Sequence, residues 1–90
     1  MNEIIEEKLK LLPDSPGVYK MYDGAGEIIY VGKAVNLKNR VRQYFQRSAK
    51  PLKVEAMVSH IEDFQYIITS NETEALTLES NLIKEIKPRY

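Results

Sequence analysis

Apolar residues recur along this chain at two different spacings. Near the start, Ile5, Leu9 and Leu12 follow the three- to four-residue spacing of a helix, which the next segment, Pro-Asp-Ser-Pro-Gly, ends. The segments at 17–23 and 27–34 are instead rich in β-branched and aromatic residues, which is typical of strands. Because only a short glycine-containing stretch separates them, they are predicted to form a hairpin.

The pairing within this hairpin decides which side chains become neighbours. If Gly24 takes the first position of a two-residue type II′ turn, Tyr19 lies opposite Tyr30 on one face of the sheet. We predict this register. A five-residue loop between the strands is the alternative that the sequence also allows.

Two helices are predicted after the hairpin. Asn36 is suited to cap a helix that extends to about Gln46, because its side chain can accept a hydrogen bond from the first turn. Pro51 suits the first turn of the next helix, where a backbone N–H is not needed.

The last third of the chain predicts one more strand and one more helix. Residues 64–70, Phe-Gln-Tyr-Ile-Ile-Thr-Ser, have strand composition. The pattern Asn71-x-x-Glu74 resembles a capping box and begins a helix that extends to about Ile86. The fold class is therefore α/β (α+β), and residues 1–90 are predicted to form one domain with a small antiparallel sheet flanked by helices.

Composition excludes several classes of protein. The chain has no cysteine, so it contains neither disulfides nor thiolate metal sites. It also has no apolar run near the roughly 20 residues that span a bilayer, and its acidic amphipathic start does not resemble a signal peptide. We therefore expect a cytoplasmic protein.

Charge is unevenly distributed although the net charge is zero. Seven basic and no acidic residues lie between positions 33 and 53, whereas residues 1–32 and 54–90 are each net acidic. This cationic block consists of Lys33, Lys38, Arg40, Arg42, Arg47, Lys50 and Lys53. Such a block can neutralise the phosphates of a nucleic acid while the whole chain stays neutral. A solubilising helix face is the alternative interpretation of the charge alone.

Glu79 departs from the polar pattern of the last predicted helix. At about 100° per residue, it falls in the middle of the apolar arc. That arc comprises Ala75, Leu76, Leu78, Leu82, Ile83 and Ile86. A carboxylate on an apolar face is costly unless it is paired or bound to a metal. Pairing with a Lys or Arg at the edge of the core and binding of a metal ion both stay open.

Tyrosines and cations of the hairpin and the following helix are predicted to converge on the cavity that Glu79 enters. They are Tyr19, Tyr30, Lys33, Arg40 and Tyr44. Arg40 and Tyr44 would lie together along one edge of the helix stripe. Each tyrosine alone equally suits a structural role, with its ring in the core and its hydroxyl near solvent.

Four segments together resemble the GIY-YIG endonuclease family. They are Gly-Val-Tyr at 17–19, Tyr-Val-Gly at 30–32, GKAVNLKNRVRQYF and EALTLESNLIKEIKPRY. Within that family the chain is most similar to the N-terminal nuclease domains of the UvrC branch, which is associated with the 3′ incision in bacterial nucleotide excision repair. The resemblance implies a three-stranded antiparallel sheet flanked by helices, and a piece of a longer protein.

The resemblance also implies a role for each catalytic residue. Tyr19 would help to position the attacking water, and Tyr30 would be the general base. Lys33 and Arg40 would favour the phenolate of Tyr30, and Arg40 would lie near the scissile phosphate. Tyr44 corresponds to the tyrosine of the family's helix. Gly32 is expected to keep side-chain bulk away from the DNA backbone.

The cofactor and the partners follow from the same resemblance. Glu79 would be the carboxylate ligand of a single Mg²⁺ or Mn²⁺, with waters and the DNA phosphate as further ligands. The partners implied are damaged double-stranded DNA and, through the full-length chain, a UvrB-like repair protein, with no membrane. The domain is expected to be monomeric, and the asparagine that family members often carry after Pro-x-Tyr does not follow Tyr90.

Two other functions stay open at this point. The chain could be a catalytically silent DNA-binding or interaction module that keeps the fold, in which case Tyr30→Phe and Glu79→Ala would be tolerated. It could also be another GIY-YIG nuclease, of a homing or restriction type.

Overall fold

The structure is a computed structural model that describes residues 2–90. Four helices and three strands lie within this range. In chain order they are α1 (Glu3–Leu11), β1 (Gly17–Tyr22), β2 (Ile28–Ala34), α2 (Leu37–Tyr44), α3 (Leu52–His60), β3 (Asp63–Ile68) and α4 (Glu72–Ile86). The strands form one antiparallel sheet in the order β2-β1-β3. The predicted α+β class with a small three-stranded sheet is confirmed.

The sheet separates two clusters of buried residues because alternate strand residues point to opposite faces. Tyr19 and Met21 of β1 belong to the larger cluster, which includes residues of α1, α2 and α3. Val18 points to the other face, where it packs with Val31 and with Ala75 of α4. The helix that carries Glu79 therefore covers a different face of the sheet from the helix that carries Arg40.

The register of the hairpin differs from the prediction. Tyr19 pairs with Gly32, and Tyr30 pairs with Met21, so the prediction that the two tyrosines lie directly opposite each other is wrong. The shift amounts to two residues. Since side chains alternate with a period of two, Tyr19 and Tyr30 still share one face, as diagonal neighbours.

The loop between β1 and β2 explains this shift. It is the five-residue alternative, from Asp23 to Glu27. The carboxylate of Asp23 accepts hydrogen bonds from the N–H groups of Ala25 and Glu27, at 3.0 Å each. The positive φ of 82° falls on Gly26, a value that glycine adopts without steric cost. Asp23 therefore organises a longer loop than Gly24 alone predicted.

Side-chain caps begin α2 and α4 at the predicted residues. The side chain of Asn36 accepts a hydrogen bond from the N–H of Asn39 at 3.0 Å, and Asn71 accepts one from Glu74 at 2.8 Å. Glu74 in turn accepts a bond from the N–H of Ser70, at 3.1 Å. The capping box is therefore present with one difference: Glu74 accepts the hydrogen bond from Ser70, the residue before the N-cap, rather than from the N-cap Asn71 itself.

Two helix boundaries differ slightly from the predictions. α2 ends at Tyr44 rather than near Gln46, because the N–H of Phe45 bonds to the carbonyl of Arg42 and tightens the last turn. Pro51 precedes α3 instead of entering its first turn, and its carbonyl accepts the first helical hydrogen bond. Among the helices of residues 2–90, none is long and apolar enough to span a membrane.

Candidate active site

Tyr19, Tyr30 and Tyr44 meet on the face of the sheet that α2 covers. Their ring centroids lie 6.1 Å apart for Tyr19 and Tyr30, 5.8 Å for Tyr19 and Tyr44, and 6.2 Å for Tyr30 and Tyr44. The hydroxyl oxygens of Tyr19 and Tyr44 are 2.7 Å apart and share a hydrogen bond. Tyr19 is 1% exposed and Tyr44 9%, whereas Tyr30 is half-buried. The buried rings of Tyr19 and Tyr44 therefore pack against the ring of Tyr30 on the side that faces the core.

Gly32 makes room for the ring of Tyr19. A Cβ atom at position 32 would lie 2.4 Å from the Tyr19 hydroxyl oxygen and 2.5 Å from its Cζ atom. Both distances are far shorter than van der Waals contact, so no side chain fits while Tyr19 keeps its place. The expectation that Gly32 keeps side-chain bulk away from the DNA backbone stays a prediction. Within the protein, the lack of a side chain at Gly32 leaves the space that the Tyr19 ring occupies.

Arg40 lies at the outer edge of the tyrosine group. Its guanidinium carbon is 5.7 Å from the centroid of the Tyr44 ring, within the range of a cation–π interaction. The residue is exposed, so its planar fork remains available to an anion from solvent. The predicted neighbourhood of Arg40 and Tyr44 is confirmed.

The surroundings of these residues shift their proton affinities. Burial raises the pKa of Tyr30 to about 12, Tyr44 adds to the rise, and Arg40 lowers it only in part. Burial, with Tyr44 again contributing, also raises the pKa of Tyr19. The neighbouring Tyr19 hydroxyl raises the pKa of Arg40. Arg40 does act on Tyr30 in the expected direction, but desolvation outweighs it, so the protein alone favours the phenol.

Two clefts meet at Arg40 and Gln43. One has a volume of about 550 Å³ and is lined by Tyr30, Tyr44 and the segment that joins α2 to α3. The other measures about 370 Å³ and continues past Lys33 to the start of α2. Neither cleft has an acidic residue in its lining. Together they form a cationic groove, which we call the Arg40 groove.

The predicted DNA-binding residues divide into two groups. Arg40, Lys33 and Lys50 line the Arg40 groove. Lys50 also donates hydrogen bonds to the carbonyls of Gln46 and Ser48, so it organises the segment after α2. The lining of the groove does not include the four other members of the cationic block, Lys38, Arg42, Arg47 and Lys53.

Glu79 is half-buried on α4 and lies at the margin of the buried stripe rather than in its middle. The reason is that Leu76 and Ile83, which the helical arc included, are 49% and 39% exposed. α4 covers only part of the sheet, mainly β1 and β2. Within residues 2–90 the carboxylate has no ion pair and no hydrogen bond, so pairing with a Lys or Arg, one of the two alternatives left open by the sequence, is not observed.

The predicted convergence is therefore confirmed for part of the site. The three tyrosines and Arg40 lie together, and Lys33 reaches the adjoining cleft. Glu79 does not line either cleft of the Arg40 groove. In the described part of the chain, no group of three or more His, Cys, Asp or Glu side chains is arranged to hold a metal ion.

Some features of the site were not predicted from the sequence. Gln43 lines both clefts, and its place three residues after Arg40 is the signal that would have found it. The N–H of Tyr90 donates to the carbonyl of Ile29 at 3.0 Å, which holds the last residues along β2 beside Tyr30. No local pattern predicts this long-range bond.

The fold and the tyrosine group define a GIY-YIG domain, and comparison with known proteins agrees. Residues 15–90 match the family described as "UvrC-like GIY-YIG domain". The chain is 69% identical over 87 residues to "UvrABC system protein C" of Thermoanaerobacter sp. (strain X514), covering 96% of this chain and 14% of that protein. The chain belongs to the UvrC-like GIY-YIG domain family, and it spans about one seventh of the length of such relatives.

A solved structure resembles the whole chain. It is the crystal structure of the GIY-YIG N-terminal endonuclease domain of UvrC from Thermotoga maritima, bound to its catalytic divalent cation, magnesium. The TM-score is 0.88 with 40% sequence identity, covering 100% of this chain and 98% of that one. Point mutants of that domain with phenylalanine in place of three different tyrosines were also solved with the catalytic divalent cation bound.

Proposed function

We propose that this chain is a divalent-metal-dependent DNA endonuclease domain that hydrolyses a phosphodiester bond, as the 3′-incision domain of a UvrC-type excision-repair protein. One observation carries this proposal. Tyr30 and Arg40 share the wall of an acid-free cationic groove, and the buried Tyr19–Tyr44 pair holds Tyr30 from behind. The endonuclease domain of T. maritima UvrC, 40% identical, supports it.

The side chains of the groove are suited to a phosphodiester substrate. The fork of Arg40 binds a phosphoryl oxygen, and this contact strengthens as negative charge develops. Tyr30, in its phenolate form, would accept the proton of the attacking water. The hydroxyl groups of Tyr19 and Tyr44 stay bonded to each other. Lys33, at the adjoining cleft, neutralises a neighbouring phosphate.

Glu79 is the residue that fits a divalent cation. Its carboxylate is half-buried and, among residues 2–90, has no protein partner, which leaves its oxygens free to act as hard ligands. A bound Mg²⁺ or Mn²⁺ supplies positive charge that lowers the pKa of groups beside it. The relative's tyrosine variants still hold the cation, which supports a carboxylate rather than a tyrosine as the ligand.

The substrate and partners follow from the proposed class. We assign damaged double-stranded DNA as the substrate because that is the substrate of the excision-repair class proposed above, and the phosphate contacts of Arg40 and Lys33 do not depend on the base sequence. A UvrB-like repair protein would deliver it through the longer chain, since the described relatives are about seven times as long. The domain would act as a monomer in the cytoplasm.

The test compares Glu79→Gln with wild type in the full-length protein, together with its repair partners. Cleavage of nicked or damaged duplex DNA is measured with and without Mg²⁺ or Mn²⁺. Glu85→Gln is the matched control, because Glu85 is an exposed carboxylate on the same helix. We expect metal-dependent cleavage that Glu79→Gln abolishes, with unchanged folding, and that Glu85→Gln retains.

Two results would contradict this proposal. Equal cleavage by wild type and Glu79→Gln would make Glu79 a structural carboxylate. Intact DNA binding without any cleavage by wild type would favour the catalytically silent module.

A further inference from the structure

We propose that the solvent face of α2 is a docking surface for duplex DNA that contacts the phosphates of both strands. Arg40 contacts the phosphates of the DNA strand that enters the Arg40 groove. Lys38 and Arg42 contact the phosphates of the complementary strand. The carboxamides of Asn39 and Gln43 lie between them, toward the edges of the base pairs. This inference rests on the proposed function, because it takes DNA as the substrate.

The arrangement follows from which residues of α2 are buried. Leu37, Val41 and Tyr44 form the stripe that packs on the core. At about 100° per residue, Arg40 borders one side of that stripe, whereas Arg42 lies about 160° away from Arg40 across the exposed face. Lys38, one turn before Arg42, is on the same side as Arg42.

Two uncharged polar residues occupy the middle of the exposed face. Asn39 and Gln43 are four residues apart, so they neighbour each other, and both side chains are exposed. In the part of the chain that the structure describes, neither side chain makes a hydrogen bond, and Arg42 has no ion pair. The face is therefore a pair of free carboxamides with cations on both flanks.

This distribution complements a duplex better than a single strand. An α-helix with its side chains is about 10–12 Å across, and the major groove of B-DNA is about 12 Å wide. Cations on opposite flanks of such a helix face phosphates on opposite sides of the groove. A single strand would engage one flank and leave the other without a partner.

The surrounding charges agree with this assignment. No acidic residue lies between positions 33 and 53, so α2 itself carries no repulsive group. α1, which packs beside α2, is acidic in its first turn, and the two lysines of its last turn, Lys8 and Lys10, are paired with Asp63 and Glu7. The cationic surface therefore ends at α1, and α2 is the element that faces the duplex.

The experiment measures the salt dependence of binding by this chain, without added divalent cation. The double variant Lys38→Ala/Arg42→Ala is compared with wild type on one duplex and on the single strand of the same sequence. Each lost phosphate contact lowers the slope of log K against log salt by about 1. We expect a fall of about 2 on the duplex and none on the single strand.

Further variants test whether the slope depends on where the charge is removed, on how many charges are removed, and on the uncharged residues of the face. Lys10→Ala/Lys84→Ala removes the same charge from α1 and α4, and we expect an unchanged slope. Arg42→Gln alone, at an exposed position, should lower the duplex slope by about 1. Asn39→Ala/Gln43→Ala should weaken duplex binding several-fold and leave the slope unchanged, because no charge is lost.

An unchanged duplex slope in Lys38→Ala/Arg42→Ala would overturn the inference, and so would equal losses on the duplex and the single strand. Cleavage by the full-length protein keeps the two proposals distinguishable. If wild type cleaves and the double variant binds the duplex normally, the docking surface is wrong and the nuclease stands. If duplex binding depends on both flanks but wild type never cleaves, the surface stands and the nuclease is wrong.

Discussion

Replacing Gly32 with alanine tests the packing that supports the candidate active site. The new Cβ atom would lie 2.4 Å from the hydroxyl oxygen of Tyr19, 2.5 Å from its Cζ and 2.9 Å from its Cε2. Tyr19 is 1% exposed and fixed by its hydrogen bond to Tyr44, so its ring has no free space to enter. Either the ring or strand β2 must move.

The expected cost is the sum of two effects. Overpacking of a dense core costs about 1–3 kcal/mol, and loss of the Tyr19–Tyr44 hydrogen bond costs about 0.5–1.5 kcal/mol. Gly32→Ala should therefore lower the free energy of unfolding by roughly 2–4 kcal/mol. For a domain of this size each kcal/mol changes Tm by about 4–8 °C, so Tm should fall by at least about 8 °C. Cleavage should fall as well, because Tyr30 loses its support.

Thermal and urea unfolding of this chain provide the measurement, with two matched variants. Gly24→Ala is the control, because a Cβ there meets only the Cγ of Glu62, at 3.6 Å, and should change stability little. Tyr19→Leu removes the ring atoms that the new Cβ would strike. In that background Gly32→Ala should cost far less than in wild type, and the difference measures the steric conflict together with the loss of the Tyr19–Tyr44 hydrogen bond.

The reasoning would be refuted if Gly32→Ala were as stable as Gly24→Ala. Equal costs of Gly32→Ala in the wild-type and Tyr19→Leu backgrounds would also refute it, since the penalty would then have nothing to do with the tyrosine ring.

Other predictions concern chemistry and stability separately. Arg40→Ala should lower cleavage by about 10²-fold or more and change the free energy of unfolding by less than about 0.5 kcal/mol. Leu82 is half-buried, so Leu82→Ala should lower the free energy of unfolding by about 2 kcal/mol and leave cleavage per folded molecule unchanged. Full activity of Arg40→Ala with an unchanged Tm would remove Arg40 from the site. Because burial raises the pKa of Tyr30 to about 12, cleavage should increase with pH between pH 7 and 8, and a rate that is flat or falling there would argue against Tyr30 as the base. The raised pKa values of Tyr19 and Tyr30 mean that the folded state holds these protons more tightly than the unfolded chain. Their contribution to the free energy of unfolding should therefore be fully present below about pH 10 and be lost above it, so stability should fall less steeply above about pH 10 in Tyr30→Phe.

Local chemistry is the part of this fold that the sequence predicts well. Asn36 and Asn71 cap their helices through side-chain bonds to residues three positions away. Such bonds depend on neighbours in sequence, so the pattern alone identifies them. The end of α2 was harder to predict, because a single tightened turn at Phe45 decides it.

The hairpin register was not predictable because its loop has two acceptable turn chemistries. Gly24 favours the short turn, but the carboxylate of Asp23 holds the longer loop with two hydrogen bonds. The face shared by Tyr19 and Tyr30 was nevertheless predicted, since a two-residue shift preserves the alternation. An error of one residue would have separated them.

The position of Glu79 shows a different limit of sequence patterns. Periodicity gives the angular positions of Leu76 and Ile83, but not the width of the surface on which the helix packs. α4 covers mainly β1 and β2, so the apolar arc is wider than the contact, and two of its members remain exposed. A residue in the middle of the arc consequently lies at the edge of the contact.

The packing of the tyrosines has a consequence for the chemistry. The burial that fixes Tyr30 against Tyr19 and Tyr44 also raises its pKa to about 12, so at pH 7 only about one molecule in 10⁵ carries the phenolate. Arg40 offsets part of this rise, but desolvation outweighs it. Burial therefore fixes the ring of Tyr30 in place, whereas ionisation of its hydroxyl is favoured by solvent or by nearby positive charge. Positive charge added beside Tyr30, as a divalent cation would supply, would favour the phenolate without loosening the packing that fixes the ring.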